Sequence, residues 1–313
     1  MKVGIGTIAQ AKKQASFGTP VTPDTKLNLA SESISVTRNH GDEGNLLASK
    51  TAAQRDLLSI AVGGGMSFIL RPEMADWLFE CALGKVSSGK YILADPNTDL
   101  PCSTVVLSRG GVVKTYQDIT IRSITINAQA QDYVRVDIDV IGTKELNAGD
   151  SGAQTIQTIS FSLPSYKCTA ATLKCGTAGS SATTALCVES CTITIDNGLE
   201  EEPATYCKGL YAGRPAVGQR SVTVDFQLPF SSDTDTFRTT YYTDPDAPEL
   251  SIELVFSTSN EDENIVIELP NVRLTSGDDP VSGAGIIEAS FSGEALSIGA
   301  DEPITVTVNH DEE

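Results

Sequence analysis

The chain has 313 residues, enough for two domains of ordinary size, and its 40% hydrophobic and 20% charged residues are those of a folded protein rather than a disordered one. A formal net charge of −19 and a pI near 4.4 disfavour sequence-independent affinity for nucleic acid or anionic membranes, which needs a Lys/Arg-rich face. The same acidity leaves room for DNA in transit, because an acidic wall repels phosphate and keeps a duplex from sticking.

The opening residues MKVGIGTIAQAKKQASFG break their apolar run at Gly4, Gly6 and Gln10, so no secretory signal is expected. No stretch reaches the roughly 20 continuous apolar residues of a membrane helix, and folding in cytoplasm with reduced cysteines is expected. Across residues 1–30, Gly18, Pro20 and Pro23 separate short apolar patches, with no run long enough for a helix or a strand pair. This segment reads as an extended arm with Phe17, Val21 and Leu27 as docking anchors.

From Ser31 the chain alternates, with Ile34 and Val36 pointing one way and Ser33, Ser35 and Thr37 the other, as in a half-buried strand. A long polar loop, HGDEGNLLASKTAAQRD at 40–56, precedes LLSIAVGGGMSFIL, where Gly63 to Gly65 suggest a bulge or bend. RPEMADWLFECALG at 71–84 then predicts a helix. Met74, Trp77, Leu78, Cys81 and Ala82 form one stripe, Pro72 suits the first turn and Gly84 the end. Such a stripe covers one face of a sheet. STVVLSR, DITIRSITIN and DYVRVDIDVIG follow as strands, the last with Val134, Val136, Ile138 and Val140 toward the core and Arg135, Asp137 and Asp139 opposite.

Beyond a connector or insertion at 151–190, the order recurs. CTITIDNG puts Ile193 and Ile195 where Ile34 and Val36 stood; a polar loop, LEEEPATYCKGLYAGRPAVGQ, leads to SVTVDFQLPF. SSDTDTFRTTYY repeats the helix, with Phe237 lying 160 positions after Trp77 and Tyr241 replacing Cys81. In the closing strands, Ile265 and Ile267 are matched to Ile119 and Ile121 at an offset of 146. The expected fold is mainly β: a sandwich-like or barrel-like sheet module with one short α-helix, present twice by internal duplication. Its parts are an arm (1–30), a first module (31–150), the connector (151–190), a second module (191–300) and an acidic tail (301–313).

Catalytic and ligand signatures are sparse. The two histidines, His40 and His310, lie in a polar loop and the acidic tail, no GxSxG elbow occurs, and GGVVKT at 110–115 lacks the glycine before the lysine of a phosphate loop. DIDVIG, SSDTD and TDPDAPE fail the spacing of a calcium loop. Of the seven cysteines, five crowd between Cys168 and Cys207 without a CxxC pair; buried thiols lead, with a Cys168–Cys175 disulfide or a zinc site as alternatives. No enzyme and no cofactor is expected.

The segments SFGTPVTP (16–23), ESISVTRN (32–39), GGGMSFILRPEMADWLFECALG (63–84) and IGTKEL (141–146) resemble the tail tube proteins of tailed bacteriophages and related viruses. The resemblance implies a virion structural protein whose modules join sheet to sheet in a β-barrel-lined ring, the rings stacking into a tube for genome ejection. Two modules per chain favour a trimer with pseudo-sixfold symmetry over a hexamer. Implied partners are other copies of the chain, a tail tip or initiator complex, a tape measure protein, a tail terminator and transiting DNA held without tight binding, with no membrane. The place is the virion tail, after assembly in host cytoplasm. By position, inter-ring contact falls to Leu46, Leu47 and Arg55 in the first loop and Tyr206, Leu210, Tyr211 and Arg214 in the second. Asp137, Asp139, Asp225 and Glu288 are candidates for the channel lining. Met74, Trp77, Leu78, Cys81, Phe237 and Tyr241 hold helix to sheet. A secretion-system tube or tail-terminator ring protein is the near alternative; a glycan- or ligand-binding β module, with Trp77, Tyr241 and Tyr242 as stacking platforms, is the distant one.

Overall fold

A computed structural model describes residues 6–42, 55–95, 98–200, 209–243, 246–260, 262–279 and 287–310. Alternating apolar and polar residues build most of them into strands. The first half contributes β1 (Ile8–Lys13), β2 (Thr25–Leu27), β3 (Leu29–Glu32), β4 (Ser35–Asp42), β5 (Arg55–Ile69), helix α1 (Pro72–Leu83), β6 (Gly84–Ser87), β7 (Lys90–Leu93), β8 (Ser103–Arg109), β9 (Val112–Gln129), β10 (Arg135–Gly142) and β11 (Lys144–Asn147). The second contributes β12 (Lys167–Thr177), β13 (Thr184–Leu186), β14 (Ser190–Asp196), β15 (Leu199–Glu200), β16 (Ala216–Val217) and β17 (Ser221–Pro229). Helix α2 (Ser232–Arg238), a π turn at Thr239–Thr243, β18 (Leu250–Ser257), β19 (Asn264–Asp278), β20 (Glu288–Ala295) and β21 (Thr305–Asn309) complete it. The protein is mainly β, and among the described residues its sheets are not closed.

Strand pairing follows one order in both halves. In the first, antiparallel neighbours run β2–β1–β8–β9–β10–β5–β4, with β3 continuing β4 along β5. In the second they run β13–β12–β18–β19–β20–β17–β14. β9 and β19 are long because each serves two sets of partners. β9 meets β8 and β11 with its first part and β10 with its last; β19 meets β18 and β21, then β20.

Even the irregularities correspond. β10 slips on β9 between Asp139 and Val140, leaving Arg122 as the extra residue, and β20 slips on β19 between Ser292 and Gly293, leaving Thr275. β8 slips on β9 between Ser103 and Val105, and β18 on β19 between Leu250 and Ile252. These bulges fix the correspondence of β9 with β19 at 153 positions, so Val272 and Leu274 stand where Ile119 and Ile121 stand. The offset of 146 is thereby corrected. A bulge resets the two-residue alternation, and a pattern match that skips it settles on the wrong apolar pair.

Two other expectations change. Residues 8–13 and 25–27 pair with each other, and β1 also lines β8, so part of the segment read as an extended arm belongs to the first sheet. β12 and β13, within the segment read as a connector, occupy the same positions against β18.

The helices follow their local sequence. α1 starts at Pro72, where a missing N–H costs nothing, and ends at Gly84 with φ 92°, whose N–H bonds to the Glu80 carbonyl. A Cβ at Gly84 would lie 2.8 Å from Leu100 Cδ2 and 2.9 Å from the Ala94 Cβ. α2 is shorter, capped by the Ser231 hydroxyl accepting from the Thr234 N–H at 3.2 Å, and has Asp233 and Asp235 in its first turn. Met74, Trp77, Leu78 and Cys81 are buried on α1, and Phe237 on α2 packs against Phe226 and Phe291.

Candidate subunit interface and channel face

The two halves join edge to edge. β14 pairs with the last part of β9 from Ser190↔Gln129 to Asp196↔Ser123, giving one continuous run β4–β5–β10–β9–β14–β17–β20–β19. Because directly opposed residues share a face, the row Asp137, Thr125, Thr194, Thr223, Glu294 lies on one side of it. Asp139, Asp225 and Glu288 stand at even spacing along the same strands, so all four proposed lining carboxylates share that face. Its other side is apolar: Ile124, Ile126, Val136, Ile138, Ile193, Ile195, Val222, Val224 and Phe226 are all buried. The stripe residues of both helices join the same core cluster, with Tyr241 packed against it.

The polar face is rich in hydroxyls, with acids outnumbering arginines. Asp139 pairs with Arg122 at 3.2 Å, Asp137 accepts from Asn127 Nδ2 at 2.9 Å, and the Thr125 and Thr194 hydroxyls meet across the joint at 3.2 Å. Asp137, Asp225 and Glu288 are exposed and Asp139 is half-buried. The exposed carboxylates of this surface repel phosphate, and its arginines Arg122 and Arg135 are paired with Asp139 and Asp132.

Inter-ring candidates divide. Leu46, Leu47 and Tyr206 lie outside the described residues, and Arg55 is exposed at the start of β5. Leu210 and Tyr211 are 40% and 39% exposed, yet their backbone runs beside β5: the Ile60 N–H donates to the Leu210 carbonyl at 2.8 Å. Lys144 Nζ lies 4.3 Å from the Tyr211 ring centre. Arg214 is turned inward, donating to the Leu100 carbonyl at 2.7 Å, pairing with Asp99 at 3.1 Å and facing the Phe17 ring. This segment of the second half is thus held against the first. Of the arm anchors, Leu27 is buried, Phe17 and Val21 are half-buried, and the Val21 N–H donates to Thr104 Oγ1 at 3.0 Å.

Sequence reasoning missed the residues that lock the halves. Asn197 is fully buried; its Nδ2 donates to the carbonyls of Ala82, at the end of α1, and Ile121, both at 3.0 Å. Arg220 Nη1 donates to the Leu83 carbonyl at 3.3 Å, and burial depresses its pKa. β21 adds a second seam by pairing with both β19 and β7, while His310 Nε2 contacts Asp76 on α1 at 2.6 Å. The one available signal for Asn197 was its position in a strand-ending Asp-Asn-Gly.

Trp77 is not a sugar platform, since its ring is buried and its Nε1 donates to Ser103 Oγ at 3.0 Å. Cys81 Sγ lies 3.2 Å from the same hydroxyl, and burial pushes its thiol up to about 12. Cys168 and Cys175 are free thiols, and no cluster of metal-ligating side chains occurs among the described residues.

A family model described as phage tail tube protein matches residues 4–295, nearly the whole chain. No curated protein matches it.

Proposed function

The chain belongs to the phage tail tube protein family, and from that premise we propose that it is the major tube subunit, forming trimeric rings that stack around a channel for the genome. The observation that carries this reading is the recurrence of one pairing order, bulges included, in two halves that already share a sheet. We take the halves as an internal duplication, each standing for one of six modules in a ring with pseudo-sixfold symmetry. Closure of the sheet into a barrel removes the open edges that would otherwise invite aggregation.

In this arrangement the polar face carrying Asp137, Asp139, Asp225 and Glu288 lines the channel, and the helix-covered face points outward. Residues 40–56 and 197–219, with Leu210 and Tyr211 exposed in the second segment, contact the next ring. Assembly takes place in host cytoplasm with tail tip, tape measure and terminator proteins.

Negative-stain electron microscopy of concentrated protein tests the reading. Hollow tubes or rings with three- or sixfold end views are expected; globular particles at every concentration, also after addition of a tail-tip fraction, would overturn it. Deleting residues 43–52 should leave rings that fail to stack, and tubes of normal length would reject the loop assignment. Changing Asp137 and Asp139 to lysine should slow genome ejection, and an unchanged rate would place that face elsewhere.

A further inference from the structure

The joint between the halves of one chain is a template for the joint between chains. Ser31, Glu32, Ser35, Val36 and Thr37 pair with β5 as Ser190, Cys191, Thr194, Ile195 and Asp196 pair with β17, a constant offset of 159 positions. Ser276, Gly277 and Asp278 pair with β20 as Ser123, Ile124 and Thr125 pair with β10, at an offset of 153. In the first half the outer edge of β9 is filled by β14. The corresponding edge of β19, and the β4 edge that corresponds to the filled side of β14, have no strand on them among the described residues.

We propose that these two open edges pair with each other between copies, antiparallel, in the register copied from the internal joint. Thr37 then lies opposite the neighbouring copy's Ser276, Val36 opposite its Gly277 and Ser35 opposite its Asp278. The proposal rests on the ring reading and adds to it which strands meet and at which residues.

The side chains suit this joint. Ser35 and Asp278 are both exposed and replace Thr194 and Thr125, whose hydroxyls meet at 3.2 Å; the serine hydroxyl would donate to the carboxylate. Arg38, exposed on β4, takes the place of Asn197. Its several donors can serve the carbonyls of Tyr242 and Leu274, the counterparts of Ala82 and Ile121. In the single chain both edges carry an arginine on a backbone carbonyl: Arg109 Nη2 donates to Ile34 at 3.0 Å and Arg238 Nε to Gly277 at 2.9 Å. A carbonyl oxygen accepts twice, so these contacts shield the edges from indiscriminate pairing without forbidding the right one.

The test is a disulfide across the proposed pair. The full-length double variant Ser35→Cys with Asp278→Cys is assembled, oxidised mildly and run on a denaturing gel without reductant, beside both single variants and the out-of-register pair Thr37→Cys with Asp278→Cys. Reducible covalent dimers and trimers are expected from the first double variant, several-fold above the other three. If rings or tubes are seen in the microscope while that variant stays monomeric on the gel, or the out-of-register pair links equally well, this joint is wrong and the tube reading stands. If the unmodified chain forms neither rings nor tubes under any condition, the tube reading falls and the joint with it.

Discussion

The two halves share an order of pairing but finish their helices differently. α1 runs twelve residues, is stopped by Gly84, and is roofed by the β6–β7 hairpin, by β21 and by the contact from His310 to Asp76. α2 runs seven residues, slides into a π turn and has no strand pair after it before β18 among the described residues. Trp77, buried against Ser103, and Phe237, in an aromatic cluster with Phe226, Phe291 and Tyr241, are two solutions for one position. The topology therefore tolerates either a long, roofed helix or a short one whose anchoring ring does most of the packing.

The largest expected effect separates these solutions. Trp77→Ala should cost about 4–5 kcal/mol in urea denaturation, because it removes a buried indole and leaves the Ser103 hydroxyl with Cys81 as its one remaining partner. Phe237→Ala should cost about 3 kcal/mol, since neighbouring rings can partly close over the gap. Equal losses would break the contrast.

Next in size is the seam. Asn197→Ala leaves two buried carbonyls without their donor and should cost about 2–3 kcal/mol. Arg38→Ala, at the corresponding exposed position, should leave the unassembled chain within about 0.5 kcal/mol of wild type. A stability loss in Arg38→Ala comparable to that of Asn197→Ala would show that the two sites are not equivalent.

A smaller contrast lies at the helix ends. Gly84→Ala forces a side chain into a left-handed conformation against Leu100 and Ala94 and should cost about 1–3 kcal/mol. Thr239→Ala, at the end of α2 in ordinary helical conformation and exposed, should change stability by less than about 0.5 kcal/mol. Thermal melts of the two variants read the difference.

What the sequence disclosed follows from where the spacing is constant. Between β2 and α1 the counterparts lie 159 or 160 positions on, so Ile34 with Ile193 and Trp77 with Phe237 could be matched by eye. Alternation along β10 and β17 likewise placed Asp137, Asp139 and Asp225 opposite the core side. β1 escaped because IAQAKK buries a glutamine: Gln10 is 1% exposed, its amide exchanging hydrogen bonds with Gln157, 147 positions away. No local pattern announces a polar residue satisfied from so far along the chain. The bulges hid the alignment of β19 with β9, and the inward turn of Arg214 depends on Asp99 and Phe17, which only the fold brings near.

The smallest effect concerns one position seen in an edge strand and in a central one. Glu32 at the end of β3 accepts from Arg109 Nε at 2.7 Å and Nη2 at 2.5 Å, and this bidentate hydrogen bond holds its carboxyl below the usual 4.5 although burial pushes the other way. Its counterpart in β14, Cys191, has neighbours on both sides, and burial pushes its thiol up to about 12, so it stays neutral at any ordinary pH. A depressed carboxyl value means the Glu32 contribution is present above pH 4.5 and is lost as pH falls through and below that value. Glu32→Gln should cost about 1 kcal/mol at pH 7, modest because Arg109 is partly exposed, and the gap to wild type should narrow as pH falls below 4.5. Cys191→Ala should show a loss that does not change with pH. Urea titrations at pH 7, 5, 4 and 3 decide between them: a Glu32→Gln gap no narrower at pH 3 than at pH 7 would mean that shape, rather than charge, finishes the edge strand. The first half would then rely on packing at this position, as the second half does.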